Sequence, residues 1–439
     1  MTEQRKSTSR NPLITTIFTA DPSAHVWNDG RIYIYVSHDI DPARGCDLMD
    51  KYHAFSSSDM VNWQDEGEIL SSDDVSWGRP EGGFMWAPDC AFKNGVYYFY
   101  YPHPSDTKWN NTWKIGVATS KKPASGFVDQ GYIEDVGGFA MIDPCVFIDD
   151  DKKAYFYYGG GGYLGGCYGA ELSDDMLSLK TKLKRMRFLR DFHEAAWVFK
   201  REGWYYLIYS DNLRHRNRYR YAMSRNPLGP WKYKGIFLDP VGCETTHGSI
   251  VEFKGQWYLF YHNQTISGEG NLRSVCVDYV YFNPDSTIKK VIQTKEGVKL
   301  AGEHAPTNHP TFDYGVEGCI VKNGAYKIKT SKSGDKVIVL DSTQEDSYCE
   351  YQNLEGGTGG RAEISFYCTT IERKAKLQLQ INGTDYSLIN IISSGHLEGY
   401  PNRAFLTVNF KPGDDNSIKL TSYFGKIYVH SISVKLLDM

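Results

Sequence analysis

Five hairpin-like units recur along the first three hundred residues, about eight alternating strands follow them, and no stretch shows helical periodicity. These observations predict an all-β chain. The architecture that fits is a five-bladed β-propeller over residues 12–300, a linker over 301–314 and a jelly-roll-like β-sandwich over 315–439. At 439 residues the chain exceeds one small core and suits a large domain with a smaller one behind it.

The repeat carries the first assignment. Asp29-GRIYIYVS, Asn94-GVYYFYYP, Asp151-KKAYFYYG, Glu202-GWYYLIYS and Lys254-GQWYLFYH share a turn followed by an aromatic-rich strand. Their spacing is roughly 50–65 residues, which suits one propeller blade per unit. Asp-Gly, Asn-Gly and Lys-Gly supply the positive φ of tight hairpins, so the second and third strands of each blade are the most readable. The segment before each turn is then the innermost strand. Counting back about nine positions from each turn reaches Asp21, Trp86, Asp143, Glu194 and the Thr246–His247 pair. An unpaired carboxylate on an inner strand costs several kcal/mol, so three acids at one repeated inner position call for a chemical explanation.

Beyond GVKLAGEHAPTNHPTFDYG, where Pro, Gly and polar residues break the pattern, come AYKIKTS, KVIVLDS, AEISFYCTT, AKLQLQING, YSLINII, RAFLTVNF, SIKLTSYF and KIYVHSISVKLL. Alternation without helical runs describes the sandwich.

Composition narrows the function. With 49 basic and 53 acidic residues the net charge is −4, which marks neither nucleic acid nor an anionic membrane as a partner. No apolar run approaches membrane-spanning length. The 32 Tyr, 21 Phe and 10 Trp favour strands, and they offer flat faces to sugars wherever they are not core. The cysteines Cys46, Cys90, Cys145, Cys167, Cys243, Cys276, Cys319, Cys349 and Cys368 show no CxxC or zinc-ligand spacing; buried free thiols are expected. Free thiols and an N-terminus without an apolar leader segment point to a cytoplasmic location. A chain whose leader had been removed would read the same and be periplasmic or secreted.

Asp21 and Asp143 each precede a proline, which biases the aspartate towards extended backbone and fixes its side-chain direction. Glu194 lies in DFHEAAWVFK beside His193. Inverting glycoside hydrolysis needs one carboxylate to activate water and a second, protonated carboxyl to donate to the leaving oxygen. A third acid nearby holds that proton in place by like-charge repulsion. A lone Asp-Pro is usually a turn residue; two at equivalent repeat positions with a Glu at a third point to chemistry. Asp149–Asp151 and Asp73–Asp74 read as solvated turns.

FTADPSAHVWNDGRIYIYVSHD, FMWAPDCAFKNGVYYFYYP, MIDPCVFIDDDKKAYFYYGG, FHEAAWVFKREGWYYLIYS and THGSIVEFKGQWYLFYH resemble the successive signatures of glycoside hydrolase family 43. The resemblance covers roughly residues 15–300. It implies a five-bladed propeller acting by inversion, with Asp21 the general base, Asp143 the acid that tunes pKa and orients, and Glu194 the general acid. It further implies that Trp86 walls the pocket or stacks on a sugar, and that Arg273 reaches the sugar in the deepest subsite. His247 would sit on the propeller axis, where some members hold calcium, often through water. The other reading is a channel histidine satisfied by hydrogen bonds, since calcium prefers oxygen ligands. No cofactor is required for carboxylate chemistry; a structural calcium near His247 is the one candidate. His25, His193, His53 and His103 read as surface or loop residues.

The C-terminal sandwich, closing in FGKIYVHSISV, is similar in pattern to a family 6 carbohydrate-binding module, with Tyr351, Tyr386, Tyr400 and Phe424 as stacking or packing rings. The function expected is an inverting hydrolase of plant-type polysaccharide side chains or oligosaccharides, an α-L-arabinofuranosidase or a β-xylosidase. An exo-acting galactan or arabinan hydrolase of the same family is the alternative. A retaining fructosidase-like enzyme would carry a different acidic motif near the N-terminus, and a non-catalytic sugar-binding propeller would lack one of the acids. Asp39, Trp109, Trp113 and His103 are candidates for the pocket rim.

Overall fold

The computed structural model describes residues 8–41, 45–139, 141–160, 165–213, 217–301, 310–329, 336–344, 347–372, 374–393 and 401–437. Among these the regular structure is strand and short 3-10 turn, with no α-helix. The chain divides into two compact units, one holding residues up to His304 except Thr15–Ile17, the other holding those three and Ala305–Met439.

The first unit contains five antiparallel sheets. They are β1 (Phe18–Val26), β2 (Ile32–Asp39), β3 (Lys51–Ser57) and β4 (Trp63–Ser71); β5 (Asp89–Lys93), β6 (Val96–Pro104), β7 (Trp113–Ser120) and β8 (Val128–Gly138); and β9 (Cys145–Ile148), β10 (Ala154–Tyr158), β11 (Tyr168–Glu171) and β12 (Lys184–Arg185). Then come β13 (Glu194–Arg201), β14 (Trp204–Ser210), β15 (Tyr219–Ser224) and β16 (Lys232–Leu238), and finally β17 (Ser249–Phe253), β18 (Gln256–Asn263) and β19 (Ser274–Val280). Within each sheet the strands lie in chain order. The first strands touch one another in a ring: β1 meets β5, β5 meets β9, β9 meets β13, β13 meets β17, and β17 returns to β1.

The recurring turns join the first strand of each sheet to the second, as the sequence implies. Asn94 (φ 53°) with Gly95 (φ 77°), and Lys254 (φ 51°) with Gly255 (φ 81°), take the two positive φ values that such hairpins demand. The aromatic second strands run between sheets. Tyr35, Tyr52, Phe99 and Tyr101 pack between the first two, and Tyr100, Phe156 and Tyr158 between the next two. Their hydroxyls reach carbonyls far along the chain: Tyr35 donates to Pro123 O at 2.6 Å and Tyr157 to Pro227 O at 2.6 Å. A buried tyrosine thus keeps its apolar burial without an orphaned polar tip.

The three-stranded fifth sheet is flanked by the start of the chain. Leu13 N–H donates to Val275 O (2.7 Å), Thr19 N–H to Arg273 O (2.8 Å), and the Asn11 side chain both donates to Val277 O (2.9 Å) and accepts Val277 N–H (2.8 Å).

The second unit has eleven strands among the described residues, against about eight expected. The sheet order β22 (Tyr326–Lys329), β23 (Lys336–Asp341), β30 (Lys426–Leu436), β25 (Gly360–Thr369), β28 (Asn402–Phe410) carries β20 (Thr311–Gly315) on β30. The other order is β21 (Ile320–Lys322), β24 (Tyr348–Leu354), β29 (Asn416–Phe424), β26 (Ala375–Ile381), β27 (Thr384–Ile391). Strand β26 alternates buried and half-buried residues, the pattern of a sheet with one face on the core. β20 occupies the end of the expected 301–314 linker, whose residues 302–309 lie outside the described residues. Its alternating TFDYG was masked in the sequence by the Pro- and polar-rich stretch before it.

Candidate active site

Asp21 and Glu194 both sit at β-bulges. In β1 the pairing jumps from Ala20↔Ser37 to Ser23↔Tyr35, and in β13 from Glu194↔Ser210 to Trp197↔Ile208; each leaves two residues opposite one. The first bulged residue has positive φ in both: Asp21 at 55° and Ala195 at 61°. Asp143, just before β9, has φ 58°. The extended backbone expected before Pro22 and Pro144 is therefore not adopted. Proline disfavours the right-handed helical region for its predecessor, and aspartate tolerates the left-handed one better than most residues. Bulges re-aim side chains beside functional sites, and here they turn Asp21 out of the strand's alternation.

The bulges also correct the count of nine. Register aligns Asp21 with Ala195, so Glu194 corresponds to Ala20, one place earlier. The hairpin after β1 has a five-residue loop between Val26 and Ile32, whereas that after β13 has two residues between Arg201 and Trp204, which a fixed offset cannot register.

Asp21 is buried. Its Oδ2 accepts Ser37 Oγ–H at 2.7 Å and its Oδ1 accepts Arg273 Nη1–H at 3.1 Å. Burial alone would raise its pKa, but the Arg273 charge and the Ser37 hydrogen bond bring it below the ordinary aspartate value. Arg273 is itself buried: Nε and Nη2 fork onto Asp39 at 2.9 and 2.8 Å, and Nη1 also reaches Thr245 Oγ1 at 2.8 Å. Asp39 is thus no rim residue. It lies 2 % exposed beneath Arg273, and burial pushes its pKa up against the pull of that guanidinium.

Asp143 Oδ2 accepts the Ala195 N–H at 2.7 Å, which ties the third sheet to the residue after Glu194. Burial, then the Glu194 charge, raise Asp143 well above the usual carboxylate range. Burial raises Glu194 too, with Asp21 adding to it and His193, Nε2 3.6 Å from Glu194 Oε2, opposing it. His247 Nδ1 lies 3.7 Å from Asp143 Oδ2, and burial lowers its pKa to about 4, leaving a neutral imidazole. Its neighbour Gly248 has no room for a side chain, since a Cβ there would collide with the Phe260 carbonyl oxygen.

The donors around His247 do not fit a tightly held calcium. Asp21 is engaged by Arg273 and Ser37. Asp89, the other carboxylate whose field reaches His247, accepts from Ser23 Oγ, the backbone N–H of Cys90 and Val146, and pairs with His25 Nε2. Calcium takes six to eight oxygens, water among them; with Asp21 and Asp89 engaged and Asp143 3.7 Å from the imidazole, an ion beside His247 would be held mainly through water.

Trp86 packs on Trp113 with ring centres 4.4 Å apart, and its Nε1 donates to Cys46 O at 2.9 Å. With Phe84, Trp109, Arg79 and Glu81 it lines an open groove of about 800 Å³. Cys46, in the same groove, lies close enough to Arg273 and Asp21 for their charges to act on its thiol. Of the expected rim residues only Trp109, 42 % exposed and stacked on Phe84, is at the surface. Trp113 and His103 are buried. His103 Nε2 accepts Arg79 N–H at 3.1 Å, and burial with the Arg79 charge lowers its pKa to about 4.

Several other expectations are corrected. His53 is buried, and His25 is half-buried against Asp89. Asp149 is buried too, accepting Lys200 Nζ at 2.6 Å and Tyr205 OH at 2.5 Å. Tyr351 is core, whereas Tyr386 and Phe424 are about half exposed; Tyr400 lies outside the described residues.

Sequence reasoning missed Ser37 and His262. His262 is fully buried; its Nδ1 accepts the Asp21 N–H at 3.1 Å and its Nε2 meets Thr245 O at 3.0 Å. A histidine in the aromatic run WYLFYHN was its one visible signal.

A sequence profile described as "Glycosyl hydrolases family 43" matches residues 9–288. The chain is 37% identical over 337 residues to xylosidase/arabinosidase 43A of Humicola insolens, covering 63% of this chain and 98% of that one. It is 28% identical to an arabinoxylan arabinofuranohydrolase of Bacillus subtilis, over 88% of this chain and 84% of the relative. Among solved structures it is similar to a family 43 β-xylosidase/α-arabinofuranosidase from a compost metagenome, in complex with xylotriose and in a calcium-free form. That likeness has a TM-score of 0.58 and 36% identity, covering 65% of this chain and 97% of that one.

Proposed function

The chain belongs to glycosyl hydrolase family 43, and from that premise we propose an inverting hydrolase that releases α-L-arabinofuranosyl or β-xylosyl units from oligosaccharides or plant-type polysaccharide side chains. It is a glycosidase; relatives named xylosidase/arabinosidase at 34–37% identity support that activity. We read the five sheets as propeller blades, supported by the ring of first-strand contacts, and the two C-terminal sheets as a sandwich. The half-exposed rings of Tyr386 and Phe424 support a sugar-binding role for that sandwich.

The observation that carries the catalytic roles is the contrast between the buried Asp21, tied to Arg273 at 3.1 Å and Ser37 at 2.7 Å, and the part-exposed Glu194, which has His193 at 3.6 Å. Asp21 is held ionised by Arg273 and Ser37, while Glu194 is pushed up by burial. In this reading Asp21 takes a proton from water as that oxygen attacks the anomeric carbon. Glu194 gives its proton to the glycosidic oxygen as the bond breaks, so one water is consumed and the configuration inverts. Asp143 and Glu194 share a proton. Burial and the Glu194 charge raise Asp143 while the Ala195 N–H opposes them by favouring its ionised form; in this reading the shared proton passes to Glu194 as the leaving oxygen departs. Trp86 and Trp109 wall the groove for the remainder of the sugar chain. No metal enters the chemistry.

The test is a panel of 4-nitrophenyl glycosides with proton NMR of the first-formed anomer. The expected result is turnover of the α-L-arabinofuranoside or β-D-xyloside with inversion. A retained configuration would overturn the assignment of Asp21 as base. Turnover confined to galactan or arabinan would move the substrate within the family.

A further inference from the structure

His38, His53 and Glu68 share one face of the first sheet, away from the residues given catalytic roles above. Val36 pairs with His53 across β2 and β3, and His53 pairs with Glu68 across β3 and β4. His38 is two residues on from Val36, so strand alternation puts it on the same face. One ligating atom from each of the three lies within 4.8 Å of the other two.

The imidazoles are prepared as ligands. His53, 4 % exposed, is fixed through Nε2 by Asp65 Oδ1 at 2.6 Å, and Asp65 also accepts the Gly67 N–H at 2.8 Å. The carboxylate holds the proton on Nε2 and leaves a lone pair on Nδ1, which is buried and makes no hydrogen bond. His38 Nδ1 is likewise buried and unbonded. Two orphaned nitrogens are costly unless something accepts their lone pairs. Glu68 supplies the carboxylate. Its present partner, Lys51 Nζ at 3.1 Å, is an exposed ion pair that yields readily.

We propose that His38, His53 and Glu68 bind a zinc-class divalent cation as a two-imidazole, one-carboxylate site with water in the fourth position, Asp65 orienting His53 from behind. Tetrahedral zinc with bonds near 2.0–2.1 Å sets its ligands roughly 3.4 Å apart. Side-chain adjustments of about an ångström therefore close the site. The ion staples β2, β3 and β4 together. His38 lies between Ser37, which bonds Asp21, and Asp39, which forks Arg273, so the staple grips β2, the strand next to the one that carries the proposed base.

The test uses the full chain, stripped by chelator, titrated with zinc sulfate by calorimetry at pH 7 and with cobalt(II) by visible absorption. One equivalent of zinc should bind at micromolar or tighter Kd, and cobalt should give the intense bands of tetrahedral coordination. Glu68→Gln, at an exposed position, should fold normally and weaken zinc binding about tenfold or more, as should His38→Gln; Asp65→Asn should cost roughly 10–100-fold. Zinc should raise the Tm of the parent chain and not of Glu68→Gln. Zinc affinity unchanged in both Glu68→Gln and His38→Gln, or no stoichiometric binding by the parent chain, would overturn the proposal. Neither readout depends on glycosidase turnover.

Discussion

The imidazole of His262 accepts the backbone N–H of Asp21 at 3.1 Å, across 241 residues of sequence. Its Nε2 meets Thr245 O at 3.0 Å, which places the proton on Nε2 and the lone pair towards Asp21. Burial, with the Arg273 charge, brings the His262 pKa to about 3, so this arrangement holds throughout the working pH range. His262 thereby holds the left-handed backbone that aims the Asp21 carboxylate.

His262→Ala should accordingly lower kcat about 10–100-fold with little change in KM, because misaiming a base costs turnover rather than binding. His262→Gln, whose amide oxygen can accept the same N–H, should recover part of the loss. Equal defects in both variants, or a change confined to KM, would show that His262 only fills space.

Ser37→Ala removes a hydrogen bond that lowers the Asp21 pKa. The base must be ionised, so the acid limb of the kcat/KM profile follows Asp21. That limb should move to higher pH by up to about one unit while the alkaline limb stays in place. A shift of the alkaline limb alone would assign the low-pH ionisation elsewhere.

Glu194→Gln should depress alkyl glycosides roughly 10²–10⁴-fold and activated aryl glycosides far less, since a good leaving group scarcely needs a proton. Asp21→Asn should depress all substrates alike, with azide giving at most the inverted product. Asp143→Asn takes away the carboxyl with which Glu194 shares a proton, so the pair's upper ionisation is lost and the alkaline limb should fall in pH. Equal losses for Glu194→Gln and Asp21→Asn on every leaving group contradict the division of labour.

Asp39→Asn leaves the buried Arg273 without its bidentate partner, and urea unfolding should show a loss of about 3–5 kcal/mol. Urea unfolding at neutral pH measures it directly; a loss below about 1 kcal/mol would mean that Asp21 and Thr245 suffice to compensate the guanidinium.

The all-β character and the five hairpins are legible in the sequence because hairpins require residues that accept positive φ, and Asn94-Gly95 and Lys254-Gly255 announce themselves. The aromatic second strands are legible for the same local reason. The outer strands are harder to read: β12 is two exposed residues, and β8 mixes polar with half-buried positions. Polar groups packed against Asp21 are invisible for a different reason. Ser37, Asp39 and His262 sit inside strands, and alternation does not reveal the partner of an inward-facing polar side chain, 16 residues away for Ser37 and more than two hundred for Asp39 and His262. The bulges at Asp21 and Ala195 hide as well, since an inserted residue leaves no compositional trace.

The flank of the fifth sheet has a consequence for synthesis. The Asn11 side chain bonds groups 266 and 267 residues further on, so the first part of the unit to leave the ribosome waits for nearly all the rest. At roughly 5–20 residues per second that wait is on the order of 10–50 s. Meanwhile the nascent chain carries a leading segment whose hydrogen-bond partners have yet to be made. Protease pulses on stalled nascent chains should therefore find residues 8–13 cleavable until chain elongation passes residue 298, where Val298 O accepts the Ser9 N–H, and shielded soon after.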